Sequence, residues 1–135
     1  MKRMILVIDD DQAILDAISL ALERAGYDVQ ASTNGRCLLE ISNKQMPDLI
    51  LLDILLSGED GRELCTQLKE REETRHIPVI LCSAHFSGDV ITYFTGASTF
   101  LPKPFHVHEL LETVKRFLPS ASNQPYTTLP DDPLL

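Results

Sequence analysis

Acidic side chains stand at two points of the chain where a run of apolar residues stops. The run MILVI (4–8) is followed by three aspartates (9–11), and the run LILL (49–52) is followed by Asp53, which has hydrophobic neighbours on both sides. An ionised carboxylate in apolar surroundings costs several kcal/mol of free energy unless it is paired or coordinated. Asp53 therefore needs either a cation or a chemical role.

Two further polar residues follow later apolar runs. Ser83 comes directly after PVILC (78–82), and Lys103 comes directly after TFLP (99–102). If these runs are parallel strands of an open α/β sheet, their carboxyl ends meet at one edge, which is where such folds bind ligands. The spacing therefore predicts that Ser83 and Lys103 share a pocket with the aspartates.

Such a pocket would concentrate negative charge. Asp9, Asp10 and Asp53 would repel one another unless a cation lay between them, and clustered carboxylates are the oxygen ligands that Mg²⁺ prefers. The ammonium group of Lys103 and the hydroxyl of Ser83 would suit a transferring phosphoryl group, whose oxygens need positive charge and hydrogen-bond donors. The combination predicts Mg²⁺-dependent phosphoryl chemistry.

Each of these residues also has a simpler role when it is taken alone. Acidic residues favour the N-terminus of a helix, so the aspartates at 9–11 also predict a helix cap. A single lysine such as Lys103 is usually a solvated charge, and a serine such as Ser83 is often a helix cap. Capping and metal binding are compatible, so the hypothesis of a site depends on the combination of strand-end positions.

Five short apolar runs alternate with segments of helical spacing, as in Ile14, Ile18 and Leu22. Near-continuous hydrophobicity, rather than strict alternation, is typical of strands that are buried on both faces of a parallel sheet. Together these patterns predict an open, doubly wound α/β domain with helices on both faces of the sheet. The predicted strands are 4–8, 27–31, 49–52, 78–82 and 99–102.

The fourth helix has the weakest pattern and must fit within residues 85–97. Its residues 90–93 are β-branched or aromatic, and such side chains lose rotational freedom in a helix. We therefore expect the fourth helix to be short or irregular.

Composition and charge limit the class of protein. The chain has 135 residues, of which 44% are hydrophobic, so it can build one core, and we expect one domain over residues 1–118. The net charge of −8 and the pI near 4.8 disfavour nucleic acids and anionic membranes, which recruit basic surfaces. We therefore predict no direct DNA binding and no membrane binding.

The cysteines, the lengths of the apolar runs and the prolines add further limits. The three cysteines form no CxxC pair, which indicates reduced packing residues. No apolar run is long enough for a bilayer span or a signal-peptide core, so we expect a cytoplasmic protein. Residues 119–135 contain four of the eight prolines and no periodic pattern, and they are predicted to be a disordered tail.

Four motifs resemble, in order, the signatures of one known family. They are ILVIDDDQAIL, PDLILLDILLSGEDGREL, IPVILCSA and LPKPF, and the resemblance runs from about Met4 to Leu118. These motifs are similar to those of response-regulator receiver domains, the CheY-like phosphoacceptor modules of two-component signalling. The resemblance implies a flavodoxin-like (CheY-like) five-stranded parallel sheet in the order 2-1-3-4-5, with five helices.

The resemblance also implies a role for each acidic residue. Asp53 would be the phosphoacceptor, a carboxylate nucleophile that attacks the phosphohistidine of a partner. Asp10 would bind Mg²⁺ directly, and Asp9 would bind it directly or through water. Asp53 and the backbone carbonyl of Leu55 would complete the protein ligands of the ion.

Four further roles follow from the same resemblance. Ser83 would hydrogen-bond the phosphoryl oxygens, and Lys103 would pair with them. Pro104 would follow a cis Lys-Pro peptide bond. Phe100 falls at the switch aromatic of the family, which turns inward when the serine moves toward the phosphate.

The function that the resemblance implies is that of a stand-alone response-regulator receiver. It would accept a phosphoryl group from a sensor histidine kinase or a histidine phosphotransfer protein in a Mg²⁺-dependent reaction, switch conformation and bind a downstream protein target. A phosphorylation-dependent homodimer is a further candidate assembly. The domain would catalyse only its own phosphorylation and dephosphorylation, so it would not be an enzyme in the usual sense.

The chain departs from the family pattern in the loop after Asp53. Ser57-Gly58 stands where the family commonly has Pro-Gly, which predicts a freer loop. The two family positions that tune hydrolysis are Leu55 and His85 here. His85 is either a general base or simply an exposed loop residue.

Two other classes of phosphate-binding protein are alternatives. A phosphohydrolase of the haloacid-dehalogenase type also uses an Asp nucleophile and Mg²⁺, but it has a second acidic residue where this chain has Leu55. A flavodoxin cradles the phosphate of FMN in a Ser/Thr/Gly-rich loop after the first strand, where this chain has the aspartates at 9–11. The receiver is therefore the preferred class.

Overall fold

Strands and helices alternate along the chain. The computed structural model describes residues 2–41, 45–86, 88–119 and 133–135, and within them no helix is long and apolar enough to cross a membrane. The elements are β1 (Met4–Ile8), α1 (Gln12–Arg24), β2 (Asp28–Ser32), α2 (Arg36–Leu39), β3 (Leu49–Asp53), β4 (Leu55–Leu56), β5 (Glu59–Asp60), α3 (Gly61–Glu70), β6 (Val79–Ser83), α4 (Gly88–Thr95), β7 (Thr99–Pro102) and α5 (Val107–Phe117). The five predicted strands are confirmed to within one residue at each end.

One five-stranded sheet forms the centre of the fold. Its strands lie in the order β2-β1-β3-β6-β7, and all neighbouring pairs are parallel. β4 and β5 form a separate antiparallel hairpin, so β6 and β7 are the fourth and fifth strands of the sheet. The predicted order 2-1-3-4-5 is therefore confirmed.

The most continuously apolar strands are the most deeply buried ones. All five residues of β3 and all five residues of β6 are buried, and each of these strands has a neighbour on both sides. β2 lies at an edge of the sheet, and its residues are exposed or half-buried. A central parallel strand needs an apolar residue at nearly every position. This requirement explains why β3 stays apolar until Asp53.

Helices cover the sheet on both faces, as predicted. Alternate residues of a strand point to opposite faces. In β1, Ile5 and Val7 join a first core that also contains buried residues of α1 and α5. Leu6 and Ile8 join a second core that contains buried residues of α2, α3 and α4.

α4 is short, as predicted, and α2 is shorter still. α4 has eight residues, against 13 in α1, 10 in α3 and 11 in α5, whereas α2 has four. In α4, Ile91 is buried while Val90, Tyr93 and Phe94 are exposed. The apolar pattern did not reveal the length of α2, because Leu39 resembles a core residue in the sequence but is 72% exposed.

We expect the backbone of α4 to open more readily than that of α1. α4 is short, and it exposes three of its large hydrophobic side chains (Val90, Tyr93 and Phe94). Its amide hydrogens should exchange about tenfold faster than those of α1 in a hydrogen–deuterium exchange experiment. α3, which is close to α4 in length, serves as the internal control. Exchange in α4 as slow as that in α1 would contradict the expectation.

Most of the predicted tail, residues 119–135, lies outside the described residues. Residues 133–135 are described, and they pair with residues 105–107 in an antiparallel bridge. This pairing has no periodic signal in the sequence, because a three-residue contact is too short to show a pattern.

Candidate functional site

The candidate site lies at the carboxyl edge of the sheet, where four parallel strands end. β1, β3, β6 and β7 bring to this edge, in that order, Asp9, Asp53, Ser83 and Lys103. The sequence-predicted positions are therefore assembled at one edge, because parallel strands all present their carboxyl ends on the same side.

Three carboxylates meet at this edge. One oxygen from each of Asp9, Asp10 and Asp53 lies within 4.8 Å of the other two. Asp9 and Asp53 are buried, with exposures of 1% and 6%, whereas Asp10 is exposed. The cluster is therefore open to solvent on the side of Asp10.

Asp11 has the simpler role that the sequence also predicted. Its carboxylate accepts hydrogen bonds from the amides of Ala13 and Ile14, at 3.0 and 3.3 Å, and so caps α1. Its own amide donates to Oδ1 of Asp9 at 2.9 Å. Capping and cluster formation thus occur side by side: the side chain of Asp11 caps α1, and its backbone amide holds the carboxylate of Asp9.

Lys103 supplies the positive charge of the site. Its Nζ lies 2.6 Å from Oδ2 of Asp9 and 3.3 Å from Oδ2 of Asp53, and its side chain is 14% exposed. Its amide donates to the carbonyl of Ser83 at 3.0 Å, and its peptide bond to Pro104 is cis, as the resemblance implied. The ammonium group therefore bridges the two buried carboxylates.

Burial and neighbouring charges compete at Asp53 and Lys103. Burial raises the pKa of Asp53 above its ordinary value, the ammonium of Lys103 opposes the rise, and the carboxylate of Asp9 adds to it. Burial on its own would lower the pKa of Lys103, but the surrounding negative charge outweighs it and raises that pKa. Burial also raises the pKa of Cys82, so this thiol is neutral at pH 7. The charge around the ammonium therefore comes from the two carboxylates.

The donor set fits a divalent cation of the Mg²⁺ type. Three carboxylates against one ammonium leave an excess of negative charge. Carboxylate and carbonyl oxygens are the protein ligands that Mg²⁺ takes, and the ion usually keeps several waters. The exposed side of the cluster at Asp10 offers room for those waters.

The β4–β5 hairpin carries the residues that follow Asp53. Its Leu55 is 47% exposed. The hydroxyl of Ser57, at the turn, donates a hydrogen bond to Oδ2 of Asp10 at 2.9 Å. The departure from Pro at position 57 predicted a freer loop, and the structure adds that Ser57 ties this loop to the acidic cluster.

Gly61 supports the site although the sequence reasoning did not single it out. A Cβ at this position would lie 2.3 Å from the backbone oxygen of Asp53 and 2.8 Å from the Cα of Ile54. Its amide donates to the carbonyl of Ile54 at 2.8 Å. α3 therefore begins directly against the backbone of Asp53, and only glycine fits there. The available signal was a glycine at the first position of a helical pattern.

Three other predicted residues make local contacts. The hydroxyl of Ser83, which is 2% exposed, accepts the amide of His85 at 3.2 Å and so stabilises the turn after β6. The side chain of His85 is exposed. Phe100 lies half-buried in β7 and packs against the second core. The roles of these residues toward a phosphoryl group stay predictions.

Comparison with known proteins identifies the family. A family model described as "Response regulator receiver domain" matches residues 5–115. The chain therefore belongs to the response regulator receiver domain family, whose members are signalling domains of two-component systems rather than conventional enzymes.

A curated relative shows how far the similarity extends. The "DNA-binding dual master transcriptional regulator RpaA" of Synechocystis sp. is 40% identical over 116 residues, which are 84% of this chain and 48% of the relative. The chain thus spans about half the length of that relative.

Solved structures have the same architecture. A CheY-like receiver domain protein from Methanospirillum hungatei JF-1 has a TM-score of 0.76 at 33% identity, covering 86% of this chain and 93% of that one. The receiver domain of sensor histidine kinase PA1611 from Pseudomonas aeruginosa PAO1 has a TM-score of 0.77 at 27% identity, covering 89% of this chain and all of that one. The latter structure has a magnesium ion coordinated in its active site cleft.

Proposed function

We propose that Asp53 of this receiver accepts a phosphoryl group from a histidine kinase or a histidine phosphotransfer protein in a Mg²⁺-dependent reaction. The observation that carries the proposal is the bridge of Lys103 between Asp9 and Asp53, at an edge where three carboxylates converge. Burying such charges costs free energy that apolar residues would not cost. A chemical role explains why the chain keeps them.

Asp53 is the nucleophile in this proposal. One of its carboxylate oxygens forms a bond to phosphorus while the bond from phosphorus to the imidazole nitrogen of the donor breaks, and the nitrogen keeps that electron pair. Burial raises the pKa of Asp53, and the ammonium of Lys103 opposes that rise. Lys103 therefore favours the ionised form of Asp53, which is the nucleophile. Lys103 and the hydroxyl of Ser83 then bind oxygens of the transferred phosphoryl group.

Asp9, Asp10 and Asp53, together with the backbone carbonyl of Leu55, are the groups that would hold Mg²⁺. When it is bound, the ion supplies positive charge to the phosphoryl oxygens. The charge of the cluster and the magnesium described in the cleft of the related Pseudomonas receiver support this assignment.

The proposed output is a change at the surface that α4, β7 and α5 form. α4 begins at Gly88, where a Cβ would lie 2.8 Å from a ring carbon of Phe100. A movement of this ring would therefore be transmitted to the start of α4. Tyr93 and Phe94, which are 82% and 74% exposed, lie on the same helix and would take part in binding a downstream protein or a second copy of the chain.

We do not propose that this chain binds DNA directly. RpaA is described as DNA-binding, but this chain spans about half of its length, so the description does not say which half contacts DNA. The net charge of −8 works against contacts with phosphates. A phosphohydrolase of the haloacid-dehalogenase type is also disfavoured, because the side chain of Leu55 has no proton to donate.

A small phosphodonor tests the proposal without knowledge of the partner kinase. With Mg²⁺ and acetyl phosphate, the chain should gain the mass of one phosphoryl group in intact-protein mass spectrometry. EDTA should prevent the gain, and inorganic phosphate in place of acetyl phosphate should give none. A chain that gains no mass with Mg²⁺ and acetyl phosphate would contradict the proposal.

We expect the phosphorylated state to be long-lived, because the apolar side chain of Leu55 beside a phosphoryl group on Asp53 would hinder an attacking water. Leu55→Asn should speed the loss of phosphate roughly fivefold, which corresponds to a barrier lower by about 1 kcal/mol. Decay is followed by mass spectrometry after the donor is removed. Leu39→Asn, which changes an exposed leucine on α2, serves as the matched control. Equal or slower decay in Leu55→Asn would refute the role of Leu55.

A further inference from the structure

A short antiparallel contact joins residues 133–135 to residues 105–107. The amide of Phe105 donates to the carbonyl of Leu135 at 2.6 Å, and the amide of Leu135 donates to the carbonyl of Phe105 at 2.6 Å. A residue pair that exchanges both hydrogen bonds is the repeating unit of an antiparallel sheet. Extended peptides dock on exposed backbone edges through the same bonds.

The contact also satisfies the start of α5. The amide of Val107 donates to the carbonyl of Pro133 at 3.1 Å. Val107 is the first residue of α5, and the first amides of a helix have no acceptor within their own helix. Residues 105–107 therefore offer backbone groups that an extended segment can satisfy.

The two leucines of the segment have different surroundings. Leu135 is half-buried and packs against the first core, which contains Phe105 and Val107. Leu134 is 55% exposed. Leu135 is therefore the apolar anchor of the contact.

The contact begins two residues after the lysine of the acidic site. Phe105 is two residues beyond Lys103, whose ammonium bridges Asp9 and Asp53. Phe105 is itself fully buried. An occupant of residues 105–107 therefore covers the stretch of chain that leads from the lysine of the site to α5.

The free energy of docking residues 133–135 has opposing contributions. Three hydrogen bonds and one half-buried leucine favour docking, while the conformational entropy of three ordered residues opposes it. Because the segment belongs to the same chain as residues 105–107, its effective concentration at this edge is on the order of 1 mM. A weak contact can thus be populated within one chain although it would not form between chains at micromolar concentration.

We propose that residues 105–107 form a docking edge for an extended peptide with a leucine anchor, and that residues 133–135 of the same chain are its reversible occupant. A partner that adds a strand at this edge competes with that occupant. The inference goes beyond the proposed function and does not depend on phosphorylation of Asp53.

Amide exchange of Phe105 and Val107, measured by NMR on the whole chain, tests the occupant. Leu135→Asp places a charge against the core and should speed exchange of both amides by about fivefold or more. Leu134→Asp adds the same charge at an exposed position and should leave exchange unchanged. Leu135→Ala, which removes the anchor without adding a charge, should change exchange in the same direction as Leu135→Asp. Equal exchange in the parent chain and all variants would overturn the proposal.

A synthetic peptide with the sequence of residues 129–135, LPDDPLL, tests the edge itself. At millimolar concentration it should shift the NMR signals of residues 105–107 in the Leu135→Asp chain. The parent chain should need about fivefold more peptide, because its own segment competes. The peptide LPDDPLD should cause no shift. If LPDDPLL caused no shift in the variant, residues 105–107 would not be a docking edge.

The dependence of amide protection on protein concentration distinguishes a contact within one chain from a contact between two chains. If the occupant belongs to the same chain, protection of the Phe105 amide is constant from micromolar to millimolar protein. Protection that rises with concentration would assign the occupant to a second copy and would overturn the intramolecular contact.

Discussion

Replacement of Asp53 by Asn should abolish phosphorylation of the chain by acetyl phosphate and Mg²⁺. An amide oxygen is a much poorer nucleophile than a carboxylate, so the rate should fall by more than about a thousandfold. Intact-protein mass spectrometry at saturating Mg²⁺ measures the effect. A variant that still gains one phosphoryl group at the parent rate would contradict the assignment of Asp53.

The same variant should be at least as stable as the parent when Mg²⁺ is absent. The folded state raises the pKa of Asp53, so the ionised group opposes folding at pH 7, which lies above the unfolded pKa. Asp53→Asn should therefore increase the free energy of unfolding by about 1 kcal/mol at pH 7. The gain should disappear at a pH below the unfolded pKa, where Asp53 is neutral in both states. Thermal or denaturant unfolding would show that lost phosphorylation is not lost folding.

Asp11→Asn is the matched control for Asp53→Asn. Asp11 belongs to the same acidic run as Asp9 and Asp10, but its carboxylate caps α1. Asparagine caps helices about as well as aspartate. The control variant should therefore fold and be phosphorylated like the parent. Loss of phosphorylation in Asp11→Asn would mean that the total charge of the loop, and not the three converging carboxylates, controls the reaction.

Replacement of Asp10 by Asn should weaken Mg²⁺ binding by about tenfold or more, which is at least ~1.4 kcal/mol. The change removes one negative charge and one oxygen ligand from a cluster of three carboxylates. Isothermal titration calorimetry measures the affinity. Phosphorylation should fall in parallel at low Mg²⁺ and recover in part at high Mg²⁺. Unchanged affinity in Asp10→Asn would count against the metal site.

The same titration of Ser57→Ala measures how much the hydrogen bond from Ser57 contributes to Mg²⁺ binding by Asp10. The hydroxyl of Ser57 holds one oxygen of Asp10, and the loss of such a hydrogen bond at an exposed position should reduce Mg²⁺ affinity by roughly two- to threefold. Ser57→Thr keeps a hydroxyl and should retain the parent affinity. An equal loss in Ser57→Ala and Ser57→Thr would show that the hydroxyl does not position Asp10.

The sheet could be predicted because its central strands are buried on both faces. β3 and β6 have no polar residue before their last position, and this pattern is typical of parallel sheets. The order of the strands did not follow from the pattern, because the hydrophobic pattern of a buried strand does not indicate which strands are its neighbours. The order followed from the resemblance of four motifs to the receiver family.

The acidic site could be predicted because an aspartate directly after a buried strand is costly without a function. Asp53 indicated a functional site by itself, because hydrophobic residues flank it on both sides. Asp10 and Lys103 indicated a site only in combination with the other strand-end residues. The link from Ser57 to Asp10 could not be predicted, because it joins residues 47 positions apart through one side-chain hydrogen bond. Such a contact leaves no periodic trace in the sequence.

Short elements were the other features that the sequence did not reveal. α2 has four residues, and each strand of the β4–β5 hairpin has two, so neither reaches the length at which hydrophobic periodicity is visible. The pairing of residues 133–135 with residues 105–107 is equally short. These elements depend on tertiary contacts rather than on local propensity.

The most direct test of the central claim is the location of the phosphoryl group. After phosphorylation with acetyl phosphate and Mg²⁺, reduction with borohydride converts an aspartyl phosphate to homoserine, and peptide mass spectrometry then locates the modified residue. We predict modification at Asp53 and at no other aspartate, because Asp53 ends the central strand β3, with Asp9 after the neighbouring strand β1 on one side and Ser83 at the end of β6 on the other. A phosphoryl group on Asp53 is therefore within reach of Lys103, Ser83 and the acidic cluster together. Modification at Asp9, Asp10 or any other residue, with Asp53 unmodified, would contradict this prediction.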